Sequence, residues 1–129
     1  MEQQAIKSLK GLTALVVDDN HVNRIVACAI LKKWDVAVDV AENGQIAVDK
    51  VSIKHYDVVL MDIQMPVMDG YDATRAIHAL NENHGKNVPI LAVTATPDTE
   101  LIAASGMVDY LVKPLTGDSL YPKIACYLK

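Results

Sequence analysis

The sequence predicts an α/β domain: a parallel, doubly wound five-stranded sheet with helices on both faces. Three observations carry this. Short runs rich in Val, Ile and Leu alternate with segments of helical periodicity, five times over. The runs are continuously apolar, as in strands covered on both sides. The chain has 129 residues, enough for one domain that buries roughly two-thirds of its unfolded surface without disulfides or metals.

The first strand is read at Leu12 to Asp18, LTALVVD. A helix over Asn20 to Lys33 follows, capped by Asn20. Val22, Ile25, Val26, Ala29 and Ile30 recur at helical spacing and form its expected inward face. Val36 to Val40 is the second strand, and Asn43 to Ser52 the second helix, with Ile46, Ala47 and Val51 inward. Asp57 to Met61 is the third strand, and Asp69 caps a helix carrying Tyr71, Ala73, Ile77 and Leu80. NENHGKN, residues 81–87, reads as a polar loop before the fourth strand, Val88 to Val93. Thr96-Pro97-Asp98 opens the fourth helix, with Thr96 as N-cap and Pro97 at the first helical position, and Gly106 closes it. Val108 to Val112 is the fifth strand. Thr116 caps a last helix whose inward face holds Leu120, Ile124 and Leu128.

Composition narrows the function classes. The net charge is −4 and the Lys and Arg residues are scattered, so no nucleic-acid or membrane surface is expected. No apolar run approaches the ~20 residues that span a bilayer. The start, MEQQAIKSLKG, is too polar for a signal peptide. Cys28 and Cys126 lie in apolar periodic segments and read as reduced core thiols of a cytoplasmic protein. The histidines, His21, His55, His78 and His84, fall in loops or on helix surfaces.

In doubly wound sheets the ligand site lies at the carboxyl ends of the strands, where the winding reverses. Here the first strand ends in Asp18-Asp19, the third runs into Asp62, the fourth ends in Thr94, and the fifth ends just before Lys113-Pro114. Asp57 sits at the opposite end of its strand, about 17 Å from Asp62, and reads as a solvated acid. Taken singly, each residue has a plainer reading. Asp18-Asp19 would be a turn pair, Thr94 a strand-end threonine, Lys113 a surface lysine and Asp69 a helix cap. Taken together they form a constellation. Three crowded carboxylates resist ionising unless something positive offsets them, and a hard divalent cation with a few carboxylates and waters does so. Lys113 adds a further charge. With one carboxylate oxygen left free, such a site suits phosphoryl transfer: the free oxygen attacks phosphorus in line, and the Thr94 hydroxyl hydrogen-bonds the bound group.

VVDDN, LMDIQMPVMDG, AVTA and YLVKPL resemble the receiver domain of two-component response regulators over nearly the whole chain. The resemblance implies a flavodoxin-like (βα)₅ fold with strand order 2-1-3-4-5. It implies a receiver domain over residues 11–129 behind an N-terminal linker of residues 1–10. It implies that Asp62 accepts a phosphoryl group from a phosphohistidine, on a histidine kinase or a histidine phosphotransfer protein. Mg²⁺ (or Mn²⁺) would be held by Asp19, Asp62 and the backbone carbonyl of Gln64, with Asp18 assisting directly or through water. Lys113 and Thr94 would contact the phosphoryl group, and Lys113-Pro114 would be cis. Thr94 and Tyr110 would form the switch that remodels the surface of the fourth helix, fifth strand and fifth helix, a surface compatible with a weak homodimer. Gln64 and Thr96 stand at the positions that tune phosphoryl lifetime. Neither is an acid able to orient water, so slow to moderate self-hydrolysis is expected.

VVDDNHVNR, ILKKWDVAVDVAENG and MDIQMPVMDGYDATRAIH are most similar to receivers of hybrid sensor kinases. The chain carries no recognisable DNA-binding module and no histidine-kinase catalytic motif, so it reads as a free-standing receiver or, preferably, one from a hybrid kinase. Three alternatives compete. A small-molecule phosphohydrolase would carry a second acid two residues past its nucleophile, where this chain has Gln64. A nucleotide-binding Rossmann domain would need a glycine-rich turn after the first strand, where this chain has DDNHVN. A pseudo-receiver that only binds partners need not keep three crowded acids.

Overall fold

The fold places one strand at the centre and ends it on a buried acid at the carboxyl edge of the sheet. The computed structural model describes residues 8–80 and 88–127. The loop read at residues 81–87, His84 and Leu128 lie outside them. β1 (Thr13–Val17), β2 (Ala37–Ala41), β3 (Val58–Asp62), β4 (Ile90–Thr94) and β5 (Asp109–Val112) form one sheet in the order β2-β1-β3-β4-β5. All pairs are parallel, with Val17 opposite Met61 and Asp62 opposite Val93. The switch in winding falls between β1 and β3, whose carboxyl ends carry the acids. β3 extends one residue beyond the expected limit, so Asp62 itself is held in the ladder.

Between the strands run α1 (His21–Lys32), α2 (Gly44–Ile53), α3 (Gly70–His78), α4 (Thr99–Ser105) and α5 (Gly117–Cys126). One core layer joins Ala27 and Leu31 of α1 and Leu120 and Ile124 of α5 to Ala14, Val16, Leu60 and Leu111. The other joins Ala47 and Val51 of α2, Ala73 and Ile77 of α3 and Ile102 of α4 to Leu15, Val59, Met61 and Ala92. Leu9, within the segment read as a linker, is 2% exposed and belongs to the first layer.

Caps explain where the helices start. The side chains of Asn20, Asn43, Asp69 and Thr116 each accept from the backbone N–H three residues on, and Thr116 forms a reciprocal capping box with Ser119. The fourth helix differs from expectation. Asp98, not Thr96, is its N-cap, accepting from Leu101 N, and Pro97 stands outside the helix. Thr96 donates its N–H to Thr94 Oγ1 at 3.2 Å instead, which holds it in the loop.

The packed face of α1 is also rotated from expectation. Val22, Ile25 and Val26 are 63%, 54% and 40% exposed, and Ala29 is exposed, while Ala27 and Leu31 are buried and Ile30 is half-buried. The cause lies at the helix start. Asn20 caps it, and Arg24 bonds the Asp18 carbonyl, which turns Ala27 and Leu31 onto the sheet. Two smaller corrections follow. Cys126 is exposed and Cys28 half-buried, both free. Asp57 is no idle solvated acid: its Oδ2 accepts the Thr13 N–H at 2.9 Å and ties the start of β1.

The β3–α3 loop is stapled down by Met65 and Met68, which pack on the core, while Val67 between them is 80% exposed with φ +73°. A β-branched residue in that left-handed region is strained, by about 1–3 kcal/mol. Val67→Gly should therefore raise stability by about 1 kcal/mol, read as a higher urea midpoint, after the entropy cost of glycine.

Candidate functional site

Four strand ends converge on one small cleft, lined by Asp19, Asn20, Asn23, Asp62, Gln64, Thr94, Thr96 and Lys113. β3 delivers Asp62, 4% exposed, and the β1–α1 turn delivers Asp18, 5% exposed, with Asp19 outside it in solvent. β4 delivers Thr94, and Lys113 N donates to the Thr94 carbonyl at 3.0 Å, which extends the β4–β5 pairing to the lysine. The Lys113-Pro114 peptide is cis, as the resemblance implies.

Lys113 is the positive centre. Its Nζ donates to Asp62 Oδ1 at 3.0 Å and lies 3.4 Å from Asp18 Oδ2. Among the described residues no donor reaches Asp62 Oδ2. Carboxylate oxygens of Asp18, Asp19 and Asp62 lie within 4.8 Å of one another, an all-oxygen set that fits a hard divalent cation. The Asp62 carboxyl is pushed up to about 6, by burial first and by the charges of Asp18 and Asp19, against the opposing hydrogen bond from Lys113. Burial alone would lower the Lys113 ammonium; its bond to Asp62 and the charges of Asp62 and Asp18 outweigh this and hold it above its ordinary value. One lysine against three acids leaves the cleft short of positive charge.

The loop after Asp62 is shaped by glycine. Gly70 N donates to the Ile63 carbonyl at 2.8 Å, and a Cβ on Gly70 would clash with the Asp62 carbonyl oxygen. Asp69 is the helix cap that its position suggested, accepting from Asp72 N. Gln64 and Thr96 line the cleft mouth, both exposed. Tyr110 is half-buried in β5, and Lys123 of α5 stands over its ring at 5.4 Å while bonding Asp109 Oδ1 at 2.8 Å. Among the described residues no histidine lines the cleft.

Two participants were missed from the sequence. Asn23, one turn into α1, lines the cleft, and Arg24 Nη1 donates to the Asp18 carbonyl at 2.8 Å. The expected inward face of α1 pointed both elsewhere. The spacing NHVNR, with two polar residues inside an apolar helix, was the available signal.

The family follows from comparison. A model of the response regulator receiver domain matches residues 14–125, and the chain belongs to that family: it is a receiver domain of two-component signalling systems. It is 43% identical to the two-component response regulator ORR41 of Oryza sativa subsp. japonica over 86% of this chain and 90% of that protein. It is 38% identical to the hybrid signal transduction histidine kinase I of Dictyostelium discoideum over 85% of this chain but 7% of that protein. The chain spans 12% of the probable histidine kinase 5 of Oryza sativa subsp. japonica, another match. Among solved structures it is similar to the receiver domain of the sensor histidine kinase PA1611 of Pseudomonas aeruginosa, which has magnesium coordinated in its active-site cleft. TM-score is 0.83 and identity 38%, over 91% of this chain and 97% of that one. It is also similar to a chain in the co-crystal structure of the Saccharomyces cerevisiae histidine phosphotransfer protein Ypd1 with the receiver domain of Ssk1. There TM-score is 0.84 and identity 30%, over 94% of this chain and 91% of that one. The fold class and strand order expected from the sequence agree with these neighbours. Among the described residues no helix is long and apolar enough to cross a membrane.

Two predictions follow from the cleft. The folded state holds the Asp62 proton to about pH 6, above the ordinary 3.8. The folded chain thus binds more protons between those values, so this stabilising contribution is full below pH 4 and lost as pH rises through 6. Without divalent cations, stability should fall by on the order of 2–3 kcal/mol across that window, and Asp62→Asn should flatten the slope in urea titrations. Gly70→Ala should push the Asp62 backbone aside and cost about 3 kcal/mol or more, seen as a lower melting temperature.

Proposed function

We propose that Asp62 is the phosphoacceptor of this receiver and that Asp18, Asp19, Gln64, Thr94 and Lys113 serve the transfer. The observation that carries this is the Asp62 side chain itself: buried, held at Oδ1 by Lys113, and free of donors at Oδ2 among the described residues. In this reading Oδ2 attacks the phosphorus of a phosphohistidine in line. The P–N bond breaks, and imidazole leaves neutral because its other ring nitrogen carries the proton. A mixed acyl phosphate remains on Asp62. Mg²⁺ (or Mn²⁺) held by Asp19, Asp62 and the Gln64 carbonyl, with Asp18 direct or through water, would screen the negative oxygens of the incoming group. Lys113 is already in place to pair with one of those oxygens, and Thr94 Oγ1 is poised to donate to another.

The magnesium-bound relative supports the cation assignment, and the carboxylate set has the matching donors. The domain is a phosphoacceptor rather than an enzyme in this reading: it accepts and holds a phosphoryl group, then loses it by self-hydrolysis or passes it on in a phosphorelay. Gln64 and Thr96 at the cleft mouth offer no base to water, which supports slow to moderate self-hydrolysis. The receiver unit runs over 11–129, with Leu9 of the preceding segment as an apolar plug.

The donor is a phosphohistidine on a cytoplasmic histidine kinase or histidine phosphotransfer protein, supported by the Ypd1 complex of the structural relative. The exposed apolar face of α1 (Val22, Ile25 and Val26) flanks the cleft and offers such a partner an apolar helical surface beside Asp62. At the far edge Leu101, Val108 and Val112 are also exposed apolar residues. They lie on α4, beside β5 and at its end, near in sequence to Tyr110, so a Thr94-linked turn of that ring would be felt by an output partner or a second copy.

Intact mass after incubation with acetyl phosphate tests the reading. One phosphoryl group should be gained, dependent on Mg²⁺ and absent in Asp62→Asn; Lys113→Ala should slow the gain by about 100-fold. A half-life of the product of only seconds would contradict the lifetime reading. Val26→Glu should leave acetyl phosphate labelling intact yet slow transfer from a phosphohistidine protein by at least tenfold. A gain that survives Asp62→Asn would move the acceptor to another residue, and no gain in folded wild-type protein that also fails to bind a beryllofluoride mimic would favour a partner-binding module.

A further inference from the structure

The β1–α1 turn carries two of the three acids, and Asp19 is the least supported. It is exposed, and among the described residues its carboxylate makes no hydrogen bond, so its direction is set by its backbone. The peptide plane that leads into Asp19 is formed by the Asp18 carbonyl and the Asp19 N–H. β1 ends at Val17, so the Asp18 carbonyl lies past the last ladder pair. Besides the Lys113 ion pair, three hydrogen bonds hold this residue among the described residues. Asp18 N donates to the Ala41 carbonyl at 3.1 Å, Asn20 N donates to Asp18 Oδ1 at 2.9 Å, and Arg24 Nη1 donates to the Asp18 carbonyl at 2.8 Å. Only the third acts on the carbonyl that orients the Asp18–Asp19 peptide. Arg24 is half-buried, and its Nη2 stands 3.4 Å from His21 Nδ1, so the guanidinium spans the first turn of α1.

We propose that Arg24 is a positioning residue for the divalent cation of this cleft, acting through the Asp18–Asp19 peptide plane rather than through its charge. The proposal rests on the cation reading given above. Charge and clamp make opposite demands. A guanidinium near the acids repels a cation, so its removal by itself tightens cation binding. Loss of the clamp frees the peptide plane, lets Asp19 swing away from Asp18 and Asp62, and weakens binding. A group one shell behind the ligands has an effect of about tenfold or more on metal affinity, well above that of one partly solvated charge.

The test is the Mg²⁺ affinity of the whole chain by titration calorimetry, without any phosphodonor, for wild type, Arg24→Ala, Arg24→Met and Arg24→Lys. Arg24→Met keeps the apolar stem on α1 and guards against a variant that fails to fold. The clamp predicts affinity about tenfold weaker in Arg24→Ala and Arg24→Met. It predicts affinity within about threefold of wild type in Arg24→Lys, whose ammonium still has N–H groups to give. Equal or tighter Mg²⁺ binding in Arg24→Ala and Arg24→Met, beside a wild type that binds, would overturn the clamp and leave the cation reading standing. A wild type that binds no Mg²⁺ would overturn both.

Discussion

The fold is organised around a cost: a carboxylate buried at the end of the central strand, with one lysine to answer three acids. Asp62 lies 4% exposed at the last pair of the β3–β4 ladder, and Lys113 bridges it to Asp18. Burial lifts the Asp62 carboxyl to about 6 even with the lysine in contact. Such an arrangement opposes folding, because it keeps a charge out of water without enough opposite charge beside it. The core on either side of the sheet must offset it. β3 and β4 are buried at every position, and both apolar layers meet on them.

The surrounding parts are arranged to keep that charge where it is. The β3–β4 register and the extension of the β4–β5 pairing to Lys113 fix Asp62, Thr94 and the lysine relative to one another through backbone bonds. Gly70 lets α3 start against the Asp62 carbonyl, and Gly44 lets α2 approach the Met68 carbonyl from the other side. The cleft is therefore rigid where it touches Asp62 and open toward α1. There an apolar helix face and the turn that carries Asp18 and Asp19 meet the solvent. In the proposed reading a bound phosphoryl group would deepen the deficit by adding negative charge, which is why a cation belongs in the same account.

Much of this was legible in the sequence because each signal was short-range or periodic. Continuous apolar runs marked five strands, and their ends marked the acids, the threonine and the lysine. Caps at Asn20, Asp69 and Thr116 could be read because a cap bonds three residues away. What escaped depended on contacts across the fold. The α1 stripe of Val22, Ile25, Val26 and Ala29 is a better apolar face than Ala27 and Leu31, yet the latter pack. Periodicity counts hydrophobicity and carries no information on a bond such as Arg24 to Asp18. Thr96 and Asp98 were both fit to cap α4, and the bond from Thr96 N to Thr94 decided between them. The β1 anchor at Asp57 required knowing which strand lay beside β3.

The claim at the centre is that the buried, one-sided Asp62 carboxylate is the atom group that takes the phosphate. Reduction of the acetyl phosphate-treated, Mg²⁺-loaded protein with borohydride converts an aspartyl phosphate to a homoserine, and peptide mass spectrometry then locates it. The account predicts that conversion at position 62 and at no other acid. Conversion at Asp18 or Asp19, with Asp62 unchanged, would contradict it.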